Sequence, residues 1–466
     1  MNRKLNIAII GGGASGTIAA IHLLHKLKSE AKVYLIEKRK DTVYRGIAYS
    51  SMLEYEPLNV PAGRMSVFND QPADFLNWLK NEKQVESEAE ITEDSFVSRR
   101  WFGEYLKGRV ETAATQNSNV ALELAHGTVH DIEYTTDKNN YEVFLNDNKS
   151  IIADYVVFAT GNDTPGELFT KPETQLMGNK YVSNPWCGNP FESLKPTDDV
   201  LILGTGLTMV DHVISLNKRN HAGKIYAISR RGYLPLPHSE SHKKYEFDLR
   251  VEQKITLPKL LAEVKKNISK ARAQNITWQN ALDGLREKTT HIWQALDYDS
   301  RKLFVKRLKP FWEIHRHRVP PASLNIIQRM KHLGLLEIIS GSIKGVSLSG
   351  ERIKFSYLAK QDKREASISV DYIINCTGPS ENYLAHKNTL LKNLISKGWM
   401  RPDDLLPGIK TGIQGEIIQQ NGQTLKNAYS IGPMRKPTEW ESTAVREIRT
   451  QAEKLAALVS SVLVNF

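Results

Sequence analysis

The chain has 466 residues, 40% of them apolar and 25% charged, and a formal net charge of +11. This length exceeds what one core organises, so two or three domains of ordinary globular composition are expected. No apolar run reaches the ~18 residues of a membrane span, and two cysteines without a C-x-x-C argue against a dithiol redox centre and lack metal-finger spacing.

Residues 5–16 read L-N-I-A-I-I-G-G-G-A-S-G, an apolar run that stops in glycines, and helical spacing follows over residues 17–27. This is strand, tight turn and helix, with Gly11, Gly13 and Gly16 at the G-x-G-x-x-G positions. The first glycine permits the turn, the second lets a pyrophosphate approach the backbone, and the third lets helix and strand pack closely. The helix N-terminus then offers free N–H groups and a positive dipole end to phosphate. A second apolar run, residues 32–36, ends in Glu37. An acid about 20 residues past the glycines is placed to accept hydrogen bonds from a ribose. Because the first apolar run leads straight into this turn it is not a cleavable signal, and a cytoplasmic location is expected.

Residues 57–68, P-L-N-V-P-A-G-R-M-S-V-F, carry two prolines and a glycine without periodicity and read as an ordered loop. Helices are predicted over residues 72–80 and from about 96 to 114, with a polar acidic connector over 81–94. From Val120 the alternation of V-A-L-E-L-A-H-G-T-V-H-D-I-E-Y predicts a meander of short strands. A strand over residues 155–159 ends in Thr160-Gly161, a second close backbone approach.

Residues 162–196, rich in Pro, Gly and Asn, read as a crossing between domains. A fresh strand–turn–helix then follows: strand 200–203, G-T-G at Gly204, Thr205 and Gly206, helix 207–216. Met209 stands where the third glycine would be. The next strand, 224–228, ends in Ser229-Arg230-Arg231 instead of an acid. Arginines suit a ribose 2′-phosphate, so this unit is expected to prefer NADP to NAD.

Residues 235–335 break the α/β rhythm. Helical spacing over 257–273, 278–296 and 299–308 predicts a helical insertion, expected to serve as a substrate cap. It closes on F-W-E-I-H-R-H-R-V-P-P at 311–321. His315 and His317 are two apart, on different sides of a helix, which does not suit a metal pair, and no metal site is expected. Strands resume over 336–346, 352–357 and 366–370. Residues 372–378, Y-I-I-N-C-T-G, mirror residues 155–161, Y-V-V-F-A-T-G, and Gly378 matches Gly161. The tail adds a short strand over 428–434 and a helix predicted over 439–458.

The fold class expected is therefore α/β, with two Rossmann-like dinucleotide-binding domains, the second inserted in the first. Residues 1–165 and 375–466 would form the FAD-binding domain. Residues 166–374 would form the NAD(P)-binding domain, with the helical insertion at about 235–335. Two dinucleotide units imply two cofactors, FAD in the first and NADPH in the second, with hydride passing from nicotinamide to flavin. The positive charge is spread along the chain, so no nucleic-acid partner is expected.

The motif set resembles a bacterial family of FAD/NAD(P)-binding oxidoreductases related to the N-hydroxylating flavin-dependent monooxygenases. The matching stretches include I-I-G-G-G-A-S-G, L-N-V-P-A-G-R-M-S, V-V-F-A-T-G-N, L-G-T-G-L-T-M-V-D, I-S-R-R-G, H-R-H-R, N-C-T-G-P and I-G-P-M-R-K-P-T-E-W-E-S-T-A-V-R-E-I-R. The resemblance implies FAD held by Gly11, Gly13, Ala14, Ser15, Gly16, Glu37 and Lys38. It adds the loop with Asn59, Val60, Arg64 and Met65, then Val129, Thr160, Gly161 and Gly378, and the tail near Gly432 and Thr443. The nicotinamide site it implies comprises Gly204, Thr205, Gly206, Leu207, Thr208, Ser229, Arg230 and Arg231. It implies a monooxygenase that uses NADPH and O2 on a small amine or sulfur substrate. Asn59, Arg64, His238, Trp312 and Trp440 are candidates to line the active face. Cys187, after N-P-W, stands where the resemblance leads one to expect an acid. A flavin reductase or dehydrogenase passing electrons to another acceptor, and a cofactor-bound sensor without turnover, remain the alternatives.

Overall fold

Two mixed, mostly parallel sheets carry the chain, and each contains a short apolar strand that stops at glycine. The computed structural model describes residues 4–50, 56–82, 90–241, 243–251, 254–380 and 388–464. Part of the acidic connector expected over 81–94 lies outside them.

The first unit begins with β1 (Leu5–Ile10), α1 (Ala14–Lys26), β2 (Ala31–Glu37) and a single turn, α2 (Gly46–Tyr49). Helices α3 (Asp74–Asn81) and α4 (Arg99–Gln116) follow, then β3 (Val120–His126). A hairpin sheet of β4 (Val129–Thr135), β5 (Asn140–Leu145) and β6 (Ser150–Ala153) precedes β7 (Tyr155–Phe158). The predicted meander from Val120 is corrected here. β3 does not join the hairpins; it pairs in parallel with β2, Ala31 opposite Val120. Its alternating pattern reflects a sheet-edge position, with one face less covered.

The second unit contains α5 (Lys171–Met177), β8 (Tyr181–Val182), β9 (Val200–Leu203), α6 (Leu207–Lys218) and β10 (Ile225–Ser229). The helical region is α7 (Leu257–Ala273), α8 (Trp278–Leu285), α9 (Thr289–Ala295), α10 (Tyr298–Leu303), α11 (Lys309–Arg316) and α12 (Pro321–His332). The helix expected over 278–296 is thus two, and the stretch expected over 299–308 is α10 followed by a π-helical turn, Phe304–Leu308. Strands β11 (Leu336–Ser349), β12 (Arg352–Ala359), β13 (Glu365–Val370) and β14 (Tyr372–Asn375) complete that sheet. The chain ends with α13 (Thr389–Ser396), β15 (Glu416–Ile418), β16 (Thr424–Ser430), the single turn α14 (Lys436–Glu439) and α15 (Val445–Val464).

The six-stranded first sheet has the order β15-β16-β7-β1-β2-β3, and the seven-stranded second sheet has the order β13-β12-β11-β10-β9-β14-β8. The chain leaves the first sheet at β7 and returns to it with β16, which pairs in parallel with β7. The two T-G connectors run side by side, for residues 165 and 379 form an antiparallel bridge and Ser380 N–H donates to the Thr164 carbonyl at 3.0 Å.

Strands β7, β9 and β14 are buried along their whole length, as expected of parallel strands covered on both faces. Helices α1, α4 and α15 cover one face of the first sheet around Ile18, Phe102 and Leu455. The hairpin sheet and α13 cover the other, around Val143 and Leu391. The helical region has its own core, and the tail residues Leu406 and Trp440 belong to it. Among the described residues no helix is long and apolar enough to cross a membrane.

Candidate cofactor sites and the contacts around them

The first turn closes on itself through backbone geometry. Gly11 has φ +107°, and its N–H donates to the Ile36 carbonyl at 2.9 Å. A Cβ on Gly11 would lie 2.3 Å from the Ala159 carbonyl oxygen, and one on Gly16 would lie 1.9 Å from the Gly11 carbonyl oxygen. Only glycine lets the strand, the crossing backbone and the helix meet this closely. Gly13 starts α1 with no side-chain cap, and no acid stands in the first turn of the helix. That N-terminus is the anion-binding kind.

The buried carboxylate of Glu37 accepts from the N–H of Gly12 at 3.0 Å and of Arg39 at 3.0 Å, one on each oxygen. Each oxygen keeps a further lone pair for a ribose hydroxyl. The chemistry of this donor set fits the dinucleotide that the glycine turn implies. Lys38 beside it is exposed.

Sequence reasoning named Gly432 of the tail for this site but missed Gly46, which lies over the turn. Gly46 has φ +64°, and a Cβ there would be 2.9 Å from the nitrogen of Ala14. The preceding Tyr44, at φ +67°, donates its N–H to the Gly12 carbonyl at 2.8 Å. The Y-R-G sequence was the available signal, since only a residue tolerant of φ above zero fits there. From the tail, Gly432 sits over Ser15: a Cβ at Gly432 would be 2.6 Å from Ser15 Oγ. The Gly432 N–H donates to Gln451 Oε1 at 2.7 Å, so α15 fixes this approach.

The second turn repeats the geometry with other chemistry. Gly204 has φ +105°, its N–H donates to Ile228 at 2.7 Å, and a Cβ would lie 2.4 Å from the Cys376 carbonyl oxygen. Gly206 starts α6 uncapped, again without an acid in the first turn, which leaves Leu207 and Thr208 at an anion-ready terminus. A Cβ on Gly206 would meet open space. Met209, in the third glycine's position, is wholly buried in the core of the second unit. The Thr205 hydroxyl lies 2.6 Å from the Tyr233 carbonyl and 2.8 Å from Ser229 Oγ, which also accepts from Gly232 N–H at 2.9 Å. Arg230 is exposed and Arg231 half-buried, and neither pairs with a described carboxylate. Cationic side chains without a carboxylate partner at this strand end fit a phosphorylated ribose.

Between the units, the loop at residues 57–65 is laid against residues 93–98. Leu58 N–H donates to Val97 at 2.8 Å and Ala62 N–H to Ser95 at 2.9 Å. His238 Nε2 lies 2.9 Å from the Asn59 carbonyl, which can only accept, so the ring carries its proton there. Burial lowers the His238 pKa to about 4, with Arg318 adding to the effect, so the imidazole is neutral near pH 7. The Asn59 carboxamide has no partner among the described residues. Arg64 is exposed, 3.5 Å from Asp283, the carboxylate that also pairs with buried Arg318. Val60 is half-buried, whereas the side chain of Met65 lies in the core.

The basic residues of the H-R-H-R stretch clamp the tail. Arg316 lies 3.3 Å from Glu441, and Trp312 Nε1–H donates to Glu441 at 3.2 Å. Burial opposes ionisation of Glu441, but Arg316, His317 and Arg286 outweigh it and hold its pKa below the usual value. Arg286 grips Glu447 through two bonds of 2.8 Å. The tail helix expected from residue 439 begins only at Val445, because the chain breaks at Trp440. Trp440 has φ +62° and ψ −58°, and Glu441 N–H reaches back to the Glu439 carbonyl at 2.7 Å. This is a γ-turn with positive φ, a strained conformation. Its ring packs on Trp293 at 4.8 Å and Phe304 at 5.0 Å. Trp440 therefore docks the helical region on the tail, and its candidacy for the active face gives way to packing.

Of the other candidates, Val129 puts its side chain in the core at the start of β4. Thr160 Oγ1 lies 2.8 Å from the sulfur of Met434, joining the first connector to the tail. Gly161 and Gly378, at φ +73° and +80°, turn the two connectors. Thr443 is exposed just before α15. Cys187 is exposed and Cys376 buried, and both thiols are free.

A further buried contact joins the units. Arg99 at the start of α4 lies 2.6 Å from Asp211 on α6 and 3.6 Å from Glu56. Two buried carboxyl groups share one guanidinium. Burial raises the Asp211 pKa to about 7; Arg99 opposes the shift and Glu56 adds to it.

The FAD-NAD(P)-binding family model matches residues 8–163. No curated protein matches the sequence. The fold is similar to that of FAD-bound DfoA, the cadaverine monooxygenase of the desferrioxamine pathway in Erwinia amylovora. That likeness has a TM-score of 0.67 at 13% identity, over 99% of this chain and 95% of that one. It is also similar to L-lysine 6-monooxygenase from Pseudomonas syringae, with TM-score 0.66, 13% identity, and 99% and 100% coverage. For ornithine hydroxylase PvdA from Pseudomonas aeruginosa the figures are 0.64, 14%, and 99% and 100%.

Proposed function

We propose that this chain is an FAD-dependent oxidoreductase that uses NADPH, and a monooxygenase acting on a small amine. The observation that carries the reading is the pair of glycine turns with opposite strand-end chemistry. Glu37 presents a carboxylate at the first, and Ser229, Arg230 and Arg231 present a hydroxyl and two cations at the second. In this reading residues 1–165 and 375–466 hold FAD, and residues 166–374 hold NADPH. The α1 N-terminus neutralises the pyrophosphate, Glu37 orients the ribose, and the tail at Gly432 closes over Ser15. Bound FAD would supply hydride acceptance and oxygen activation. The protein's part is to hold the two cofactors and to keep water out with the helical region that Glu441 and Glu447 anchor. The amine class is supported by the substrates named for the three structural relatives, cadaverine, lysine and ornithine.

Cys187 is exposed and Cys376 is buried at the end of β14, so these thiols do not form the redox pair that a dithiol reductase needs. The test is a visible spectrum of the purified protein, then NADPH oxidation with diamines and basic amino acids. A hydroxylated amine formed in step with NADPH consumption is expected. Flavin-free protein that takes up no added FAD would overturn the reading. NADPH consumption that yields only hydrogen peroxide or reduced dye with every amine would favour the reductase alternative.

A further inference from the structure

We infer that Lys360, delivered from the turn between β12 and β13, determines specificity for the phosphorylated ribose, forming with Arg230 and Arg231 a three-cation pocket for the adenosine 2′-phosphate. The inference rests on the NADPH reading of the second turn and deepens it.

The sheet itself brings these residues together. β10 and β11 run parallel until Ser229 stands opposite Ser340. From Gly341 onward β11 pairs with β12 instead, Gly341 opposite Ala359. The residue after β12 is therefore returned to the end of β10. Lys360 N–H donates to the Ser340 carbonyl at 2.9 Å, and Ser340 Oγ reaches the Arg230 carbonyl at 3.4 Å. Gly232 lies against Ser340, where an added Cβ would be 3.3 Å from the Ser340 Cβ, so no side chain separates the two segments. The Lys360 ammonium stands 6.0 Å from the centroid of the Tyr233 ring. The Tyr233 backbone is tied in turn to the glycine turn through Thr205 at 2.6 Å.

Charge distribution supplies the second argument. At the opposite end of these strands Lys224 is paired with Glu337 at 2.7 Å, and Arg352 with Asp199 and with Asp371 at 3.2 Å. At the glycine-turn end Arg230, Arg231 and Lys360 make no ion pair with any described residue. Three like charges on segments held together through Ser340, without a described carboxylate partner, repel one another, and a phosphate relieves that repulsion. Arginine offers a planar fork and lysine a compact point charge, a combination suited to a tetrahedral dianion.

The test compares binding of 2′,5′-ADP and 5′-AMP by calorimetry on the flavin-loaded protein, wild type and Lys360→Gln. Lys360 is exposed, so its replacement does not disturb the core. Lys360→Gln is expected to weaken 2′,5′-ADP about ten-fold, the scale of one hydrogen bond to a charged group, and to leave 5′-AMP unchanged. Lys360→Arg should recover most of the loss. Equal 2′,5′-ADP affinity in wild type and Lys360→Gln, with wild type still preferring it to 5′-AMP, overturns the role of Lys360 and leaves the NADPH reading standing. An equal loss for both ligands also overturns the role. Wild-type protein that does not distinguish the two ligands overturns the NADPH reading, and this inference with it.

Discussion

The two glycine turns share a backbone and differ in almost everything attached to it. Gly11 and Gly204 have φ values of +107° and +105°, donate to the neighbouring parallel strand, and leave no room for a Cβ against a third strand's carbonyl. Gly13 and Gly206 begin their helices at φ −79° and −85°. Beyond that the units part. Gly13 is roofed by Gly46, whereas Gly206 faces open space. Gly16 is demanded by the Gly11 carbonyl, whereas Met209 fills the matching position with core packing. In the first unit a backbone N–H of Gly12 meets a carboxylate; in the second a threonine hydroxyl meets a serine hydroxyl. The first glycine is required in both units. The second and third are required only in the first, by Gly46 over the turn and by the Gly11 carbonyl beside the helix, and in the proposed function the strand-end residue sets which ribose is accepted.

The most damaging way to break this comparison is at its shared element. Gly11→Ala or Gly204→Ala imposes a carbonyl clash together with unfavourable φ. Each should cost about 3 kcal/mol or more, seen as a lowered Tm and, for Gly11→Ala, protein isolated without flavin. Normal flavin content in Gly11→Ala would show that the turn does not hold FAD. The next effect exchanges the strand-end chemistry. Replacing Arg230 and Arg231 together by serine should weaken NADPH about 100-fold, on the scale of two charge-assisted contacts, while NADH binding holds. Fluorescence titration with both nucleotides decides this, and parallel losses for the two would remove the assignment.

The Arg99–Asp211 contact between the units adds a pH dependence. Asp211 has a folded-state pKa of about 7, raised from 3.8 by burial. Between those values the folded chain retains a proton that the unfolded chain has lost. Stability from this group is thus full below the unfolded value, declines as pH rises toward about 7, and levels off above it. Asp211→Asn should flatten that decline in Tm between pH 4 and 8; an unchanged slope would mean that Asp211 is already ionised across the range. The smallest effect is expected at Gly206→Ala, where φ is negative and the space is open. Its unfolding free energy should stay within about 0.5 kcal/mol of wild type, with Tm nearly unchanged, and any change should be confined to NADPH affinity. A large loss of Tm would show that the second helix start is packed after all.

Much of this architecture was legible along the chain because the residues that make it are local. Residues 5–16 announce strand, turn and helix through an apolar run broken by glycines, and the T-G endings at Thr160-Gly161 and Thr377-Gly378 mark the matching crossings. The contrast between Glu37 and Ser229-Arg230-Arg231 was equally readable, since each stands at the end of the second strand after its own turn. Three features were not. β3 alternates like a hairpin strand, and only its pairing with β2 shows it to be a parallel edge. The tail helix starts six residues later than its spacing suggests, from residue 439 to Val445, because Trp440 is pulled into a γ-turn by contacts with Trp293 and Phe304 of the helical region. Lys360 lies 130 positions from Arg230 and carries no motif.

Local spacing therefore specified the two dinucleotide-type turns and the order of the units, because those depend on short-range backbone geometry and on hydrophobic period. Packing between distant segments settled the rest. Gly46 and Gly432 cover the first turn, Glu441 and Glu447 hold the helical region on the tail, Arg99 joins the units through Asp211, and Ser340 ties the backbone of Lys360 to that of Arg230. Each of these is a contact made only after the sheets have formed, and no periodicity within a single segment encodes it.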